Sequence, residues 1–357
     1  MARALRDVGY TSFGHDFQEL GVAASSGVLD PVLKINLINL STHDLLLMIL
    51  LQERHKEKAI PSKNRTLGRK GAIISYRKLE PDGQTNLFPI AFQGGWTMHP
   101  AGHLCQINAF KGRCKIITME NRGHWHSGVG ESTDKTYLYD LAYDLKAVLD
   151  KEGIDKIVIS GHSMWGAVSL IFYDLFPERV AGLILVTPAY KDPRKLGFLR
   201  DYQWTYPILD ILANSANSSM LDRTKKAISE VPLTWNVIRF ALMLTIMPDN
   251  VRDIVAFQKL MKNIFRANTD AMALSMRALF YMDDNIMQHI AQRVTIPTLI
   301  IAGKNDPLIS PESAERLATK IPHAELQIWE NTGHLPMLSH PRRLNRATLE
   351  FLDSISQ

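Results

Sequence analysis

The sequence predicts an α/β fold: a mostly parallel sheet with helices on both faces and a helical cap inserted late in the chain. Three observations predict it. From residue 71 onward, short apolar or β-branched runs alternate with stretches of helical periodicity. The runs at 157–159, 183–186 and 299–301 are apolar throughout, as strands buried on both faces of a parallel sheet must be. Between 190 and 293 the alternation stops, and roughly 100 residues show helical periodicity without a convincing strand. Eight of the fourteen methionines lie there. That is too long for a loop, so it reads as a helical insertion whose adaptable methionines pack its own core, a few of them facing a pocket. The expected organisation is an N-terminal extension over 1–70, a core of 71–190 and 294–357, and a cap over 191–293.

Composition narrows the function. A chain of 357 residues with 46% apolar and 22% charged residues is ordinary for a soluble globular protein of one or two domains. The net charge of +5 is modest and its signs are interspersed. With no basic stripe interleaved with aromatics, nucleic acid is not an expected partner. Cys105 and Cys114 are the only cysteines, too few for a disulfide framework, and no Cys/His spacing suggests zinc. No metal or organic cofactor is expected. The cysteine usage points to a reducing compartment, hence the cytoplasm. The N-terminus shows no secretory pattern, and no apolar run approaches the ~18 residues of a membrane span.

Within the extension, Ser41-Thr42-His43-Asp44 reads as a helix start, leading into seven consecutive apolar residues at 45–51. A helix apolar on every face must bury itself, on the main domain, in a dimer contact or at a membrane surface. Behind it come Arg54, Lys56, Lys58, Lys63, Arg65, Arg69 and Lys70. Residues 42–70 are therefore a candidate for peripheral membrane contact through anionic headgroups.

The sheet begins with strands at 72–77 and 87–92, separated by a turn at Pro81-Asp82-Gly83. The second strand runs into Gln93-Gly94-Gly95-Trp96, where adjacent glycines let backbone approach a ligand. An amphipathic segment at 103–110 precedes a strand at 114–119, which ends in Asn121-Arg122-Gly123-His124-Trp125. Apolar spacing predicts a helix over 137–149.

The chemistry centres on 156–170. Here Ile157-Val158-Ile159 leads through Ser160-Gly161-His162-Ser163-Met164-Trp165-Gly166 into a helical run. A serine in a strand–turn–helix is what a nucleophile elbow requires, although an ordinary turn serine or helix N-cap has the same look. Two later strand ends supply partners for it. The strand at 298–301 runs into Gly303-Lys304-Asn305-Asp306, and that at 325–329 into Asn331-Thr332-Gly333-His334-Leu335-Pro336. Loops at the C-terminal strand ends of an open α/β sheet gather on one edge, so Ser163, Asp306 and His334 are expected to converge. A serine hydroxyl is a weak nucleophile at neutral pH, so an imidazole must take its proton and a carboxylate must orient that imidazole.

On these segments residues 71–355 resemble the α/β-hydrolase fold superfamily, in its group of capped esterases and lipases; Pro177-Glu178-Arg179-Val180 is also typical. The resemblance implies an eight-stranded sheet and a Ser163–Asp306–His334 triad. It also implies an oxyanion hole from the backbone amides of Met164 and Gly95, or alternatively Gly94. Three residues depart from the pattern. Gln93 replaces the usual histidine, and Trp125 and Trp165 stand where glycine is expected, either stacked on each other or with Trp165 displacing its helix or reaching into the site. Substrate-pocket candidates are Trp96, Trp125, His162, Trp165 and Leu335. The expected activity is hydrolysis of a carboxylic ester or lactone with an apolar moiety through an acyl-enzyme. The alternatives are an amide, C–C or peracid reaction on the same triad, or a hydrolase-like binding protein without turnover. Dehalogenase and epoxide-hydrolase chemistry would need a carboxylate at 163.

Overall fold

The computed structural model describes residues 64–191 and 268–356. The apolar helix expected at 45–51, most of the basic segment 42–70, and residues 192–267 of the expected cap lie outside the described residues. No helix among the described residues is long and apolar enough to cross a membrane.

The strands are β1 (Asn64–Leu67), β2 (Ile73–Leu79), β3 (Ile90–Gln93), β4 (Ile116–Met119), β5 (Ile157–His162), β6 (Val180–Val186), β7 (Thr298–Gly303) and β8 (Glu325–Trp329). The α-helices among the described residues are α1 (Leu104–Phe110), α2 (Tyr137–Lys151), α3 (Met164–Leu175), α4 (Thr269–Phe280), α5 (Asp284–Gln292), α6 (Pro311–Ala318), α7 (Pro336–Ser339) and α8 (Pro341–Ile355). The eight strands form one sheet in the order β1-β2-β4-β3-β5-β6-β7-β8. β2 is antiparallel to both its neighbours, and every pairing from β4 to β8 is parallel.

Alternation along the strands divides the core in two, because successive side chains point to opposite faces. Ala91, Ile117, Ile159, Leu183, Leu185 and Ile300 pack with α2, α3, α5 and α6. Ile90, Phe92, Ile116, Val158, Ile184 and Ile301 pack with α1, α7 and α8 on the other face.

Two expected boundaries are corrected. The sheet starts at Asn64, within the stretch read as extension. Asn64, Arg65 and Thr66 carry no apolar alternation, and β1 needs none because it is an edge strand paired only with β2. β3 starts at Ile90 instead of 87, since Pro89 has no N–H to give a ladder, although its carbonyl accepts the Val158 amide at 2.8 Å. At the end of the expected cap, Leu274 and Leu279 of α4 and Met287 and Ile290 of α5 share the core of the sheet face covered by α2 and α3.

Candidate active site

The site is assembled from the C-terminal ends of five parallel strands. β5 ends at His162 and α3 begins at Met164, so Ser163 alone must turn the chain, and it does so at φ 53°, ψ −116°. That region is sparsely populated for a residue with a Cβ, and side chains held there cluster at functional sites. The backbone around it is pinned: the Ser163 amide donates to the Val186 carbonyl at 3.0 Å, and the Ser163 carbonyl accepts from Gly166 and Ala189 at 2.7 and 2.9 Å. The side chain is partly exposed.

The two expected partners meet. Asp306 Oδ2 lies 2.8 Å from His334 Nδ1, and both residues are buried. Close backbone approach makes this contact. A Cβ on Gly303 would lie 2.3 Å from the Thr332 carbonyl oxygen, so only glycine lets the β7 and β8 loops touch. Asn305 then donates its amide to the Thr332 carbonyl at 2.9 Å. The His334 carbonyl is held by His162 Nε2 at 2.9 Å and Thr187 Oγ1 at 3.3 Å. The His162 and His334 rings lie 4.9 Å apart, which places the Asp306-bound imidazole beside the elbow. Ser163 Oγ is not hydrogen-bonded to that ring in this conformation.

Gly95 lies against the serine. A Cβ there would be 2.7 Å from Ser163 Cβ and 3.1 Å from its Oγ, so a bare α-carbon is required. The Gly95 amide donates to His162 Nδ1 at 3.3 Å. Gly94 instead faces Met98, whose side chain a Cβ would meet at 2.8 Å. The Met164 amide is the first of α3, where no intrahelical acceptor exists and the helix dipole is positive. Trp96 donates its indole N–H to the Met272 carbonyl of α4 at 3.1 Å and packs against Met272, Met276 and Phe280.

Several pocket candidates turn out otherwise. Trp165 is wholly buried and packs in the core beneath the elbow, with its indole N–H 2.7 Å from Asn121 Oδ1. Leu335 is buried in the opposite core layer. His162 is buried, and burial, followed by the nearby His334, holds its imidazole well below the ordinary histidine range. It is therefore a neutral bridge from Gly95 to His334, not a pocket wall. Trp96 and Trp125 remain partly exposed.

The two tryptophans solve different problems and do not stack on each other. Trp125 sits at φ 51°, the left-handed conformation that favours glycine, and its ring meets those of His99 and His124. Trp165 is helical, and the close approach is taken over by Gly166, where a Cβ would lie 2.5 Å from Pro188 Cβ. The sequence shows Asn121 only as part of the segment after β4, with no role, and gives no signal for Thr187. A buried indole needs an acceptor, but nothing along the chain says which residue supplies it. Among the described residues, no three His, Cys, Asp or Glu side chains gather closely enough to hold a metal ion.

Residues 89–341 match the family model of the α/β hydrolase fold. The chain belongs to this family. Among curated proteins it is similar to human monoacylglycerol lipase ABHD6, at 21% identity over 73% of this chain and 74% of that protein. A putative esterase/lipase of Haemophilus influenzae matches at 24% identity, covering 69% of this α/β hydrolase and 76% of the relative. Among solved structures, the esterase RhEst1 of Rhodococcus superposes with a TM-score of 0.64 at 20% identity, covering 82% of this chain and 99% of that one. At that identity the superposition speaks for the fold alone, and esterases and lipases stand among the homologues of this α/β hydrolase.

Proposed function

We propose that this α/β hydrolase is a serine hydrolase that cleaves a carboxylic ester or lactone with an apolar moiety. The observation that carries the reading is Ser163, held at φ 53° between strand and helix beside the Asp306-bound ring of His334. In this reading Ser163 Oγ attacks the substrate carbonyl carbon while His334 takes its proton. Asp306 fixes the ring with its proton on Nδ1, leaving Nε2 to act as base. The developing oxyanion is held by the amides of Met164 and Gly95, each such donor being worth on the order of 3 kcal/mol. The Gly95 amide rests on a neutral ring nitrogen at 3.3 Å, a weak bond beside one to a charged oxygen, so substrate can claim it. His334 returns the proton to the leaving alkoxide, and water activated by the same ring then hydrolyses the acyl-enzyme. That Ser163 and His334 are not bonded before substrate arrives is common, because such bonds often tighten only in the complex. The Trp96, Met272, Met276 and Phe280 cluster beside the oxyanion loop favours an apolar acyl or alcohol part.

A fluorophosphonate probe tests the reading. Covalent labelling of the folded chain that disappears in Ser163→Ala is the expected result, together with turnover of p-nitrophenyl esters in preference to amide and diketone substrates. Folded protein that takes no label would overturn it and leave a binding protein without turnover.

A further inference from the structure

Between Trp165 and the catalytic loops runs a chain of hydrogen bonds that a glycine at position 165 could not begin. The Trp165 indole N–H donates to Asn121 Oδ1 at 2.7 Å, and Asn121 Nδ2 donates to the Gly95 carbonyl at 3.3 Å. On its other side Gly95 gives its amide to His162 Nδ1 at 3.3 Å, and His162 Nε2 donates to the His334 carbonyl at 2.9 Å. Every member is buried: Trp165 at 0%, Asn121 at 2%, His162 and His334 at 3% each. The chain starts two residues after Ser163 and re-enters the elbow one residue before it, so it encircles the nucleophile.

Gly95 is the weak point of that circle. It must be glycine to lie against Ser163, and it follows another glycine, so nothing intrinsic to its backbone fixes the neighbouring peptide planes. An oxyanion donor is useful only if it is aimed before charge develops. The donor N–H lies in the Gly94–Gly95 peptide. The Gly95–Trp96 peptide that follows is held at its carbonyl by Asn121 at 3.3 Å and by the Met98 amide at 3.2 Å, which anchors the Gly95 α-carbon from which the donor plane hangs. Asn121 is itself held by the indole and can accept it only in the amide orientation that turns Nδ2 toward Gly95.

We propose that Trp165 and Asn121 are positioning residues: the indole N–H, acting through the Asn121 amide, sets the Gly95 peptide of the oxyanion loop from beneath the elbow. The proposal rests on the serine-hydrolase reading above. It gives Trp165 a role in place of the glycine the motif expects, while Gly166 keeps the helix close to Pro188.

The test compares the intact chain with Trp165→Phe, which keeps an aromatic ring in the core and deletes the N–H. It adds Asn121→Asp, which keeps the acceptor for the indole and turns a second oxygen toward the Gly95 carbonyl, and the double variant. For each, kcat and KM are measured on a p-nitrophenyl ester, alongside the inhibition constant of an alkyl boronic acid, whose serine adduct mimics the tetrahedral intermediate. The expected result is about a tenfold fall in kcat with KM within twofold, below the 100- to 1,000-fold of losing a donor outright. Boronate affinity should weaken in parallel, and the double variant should be no worse than the worse single, because both break one relay. Wild-type kcat in the singles, additive losses, or a change carried by KM would overturn the inference. Should Trp165→Phe fail to fold, the near-isosteric Asn121→Asp decides alone by the same kcat and boronate readouts. A wild-type chain inert to the fluorophosphonate would instead sink the underlying reading, and the relay's role with it.

Discussion

Asp306 uses both carboxylate oxygens: Oδ2 meets His334 Nδ1 at 2.8 Å, while Oδ1 accepts the amides of Leu308 and Ile309 at 2.8 and 3.0 Å. One oxygen serves the ring and the other folds the loop that carries it. The two duties can be separated by mutation.

Asp306→Asn should keep the loop, because an asparagine carbonyl can accept the same two amides, while its NH2 faces Nδ1 and favours the wrong tautomer. Ester turnover is expected to fall about 1,000- to 10,000-fold with the melting temperature nearly unchanged. Steady-state kinetics and a thermal scan of the same preparation check this. A fall in turnover matched by a collapse of the melting temperature would show that the loop, not the tautomer, was lost.

Ser163 stores backbone strain at φ 53°, ψ −116° that glycine would not carry. Ser163→Gly and Ser163→Ala should both be inactive, but the glycine variant should be the more stable by about 1 kcal/mol, the relief of strain being offset in part by glycine's greater unfolded-state entropy. Urea midpoints at equal slopes measure the difference. Equal midpoints would mean that the elbow imposes no strain at this residue.

His103 is buried against the ring of Phe92, and burial pushes its imidazole down to about 4. A histidine depressed on folding binds its proton more readily in the unfolded chain, whose value is about 6.5. Its contribution is therefore complete above pH 6.5 and is lost as pH falls toward 4, by about 3 kcal/mol in all. His162, held low for the same reason, adds in the same direction. In His103→Phe the drop in unfolding free energy between pH 7 and pH 4 should be smaller by about that amount, read from urea titrations at the two pH values. An unchanged drop would rule His103 out as a source of acid sensitivity.

Much of this was legible in the sequence because it is local. Apolar runs marked β5, β6 and β7, which are buried on both sides, and helical spacing marked α2. β1 escaped because an edge strand needs only backbone pairing on one side, and its polar residues give no apolar signal. Serine, aspartate and histidine could be proposed as partners because each stands in the loop that leaves the C-terminal end of a strand, and parallel strands deliver those ends to one edge.

The sequence by itself determined which side chains could stand at that edge, since strand periodicity and turn chemistry are settled by near neighbours along the chain. Only the tertiary structure decided what each one touches. Trp165 could have lined a pocket, displaced its helix or stacked on Trp125; it turned inward because Asn121, 44 residues earlier, offers a buried acceptor. Gly166 could take over the close approach because Pro188, beyond the end of another strand, lies against it. Such contacts join distant segments, so they exist only once burial of the whole sheet has fixed where those segments lie.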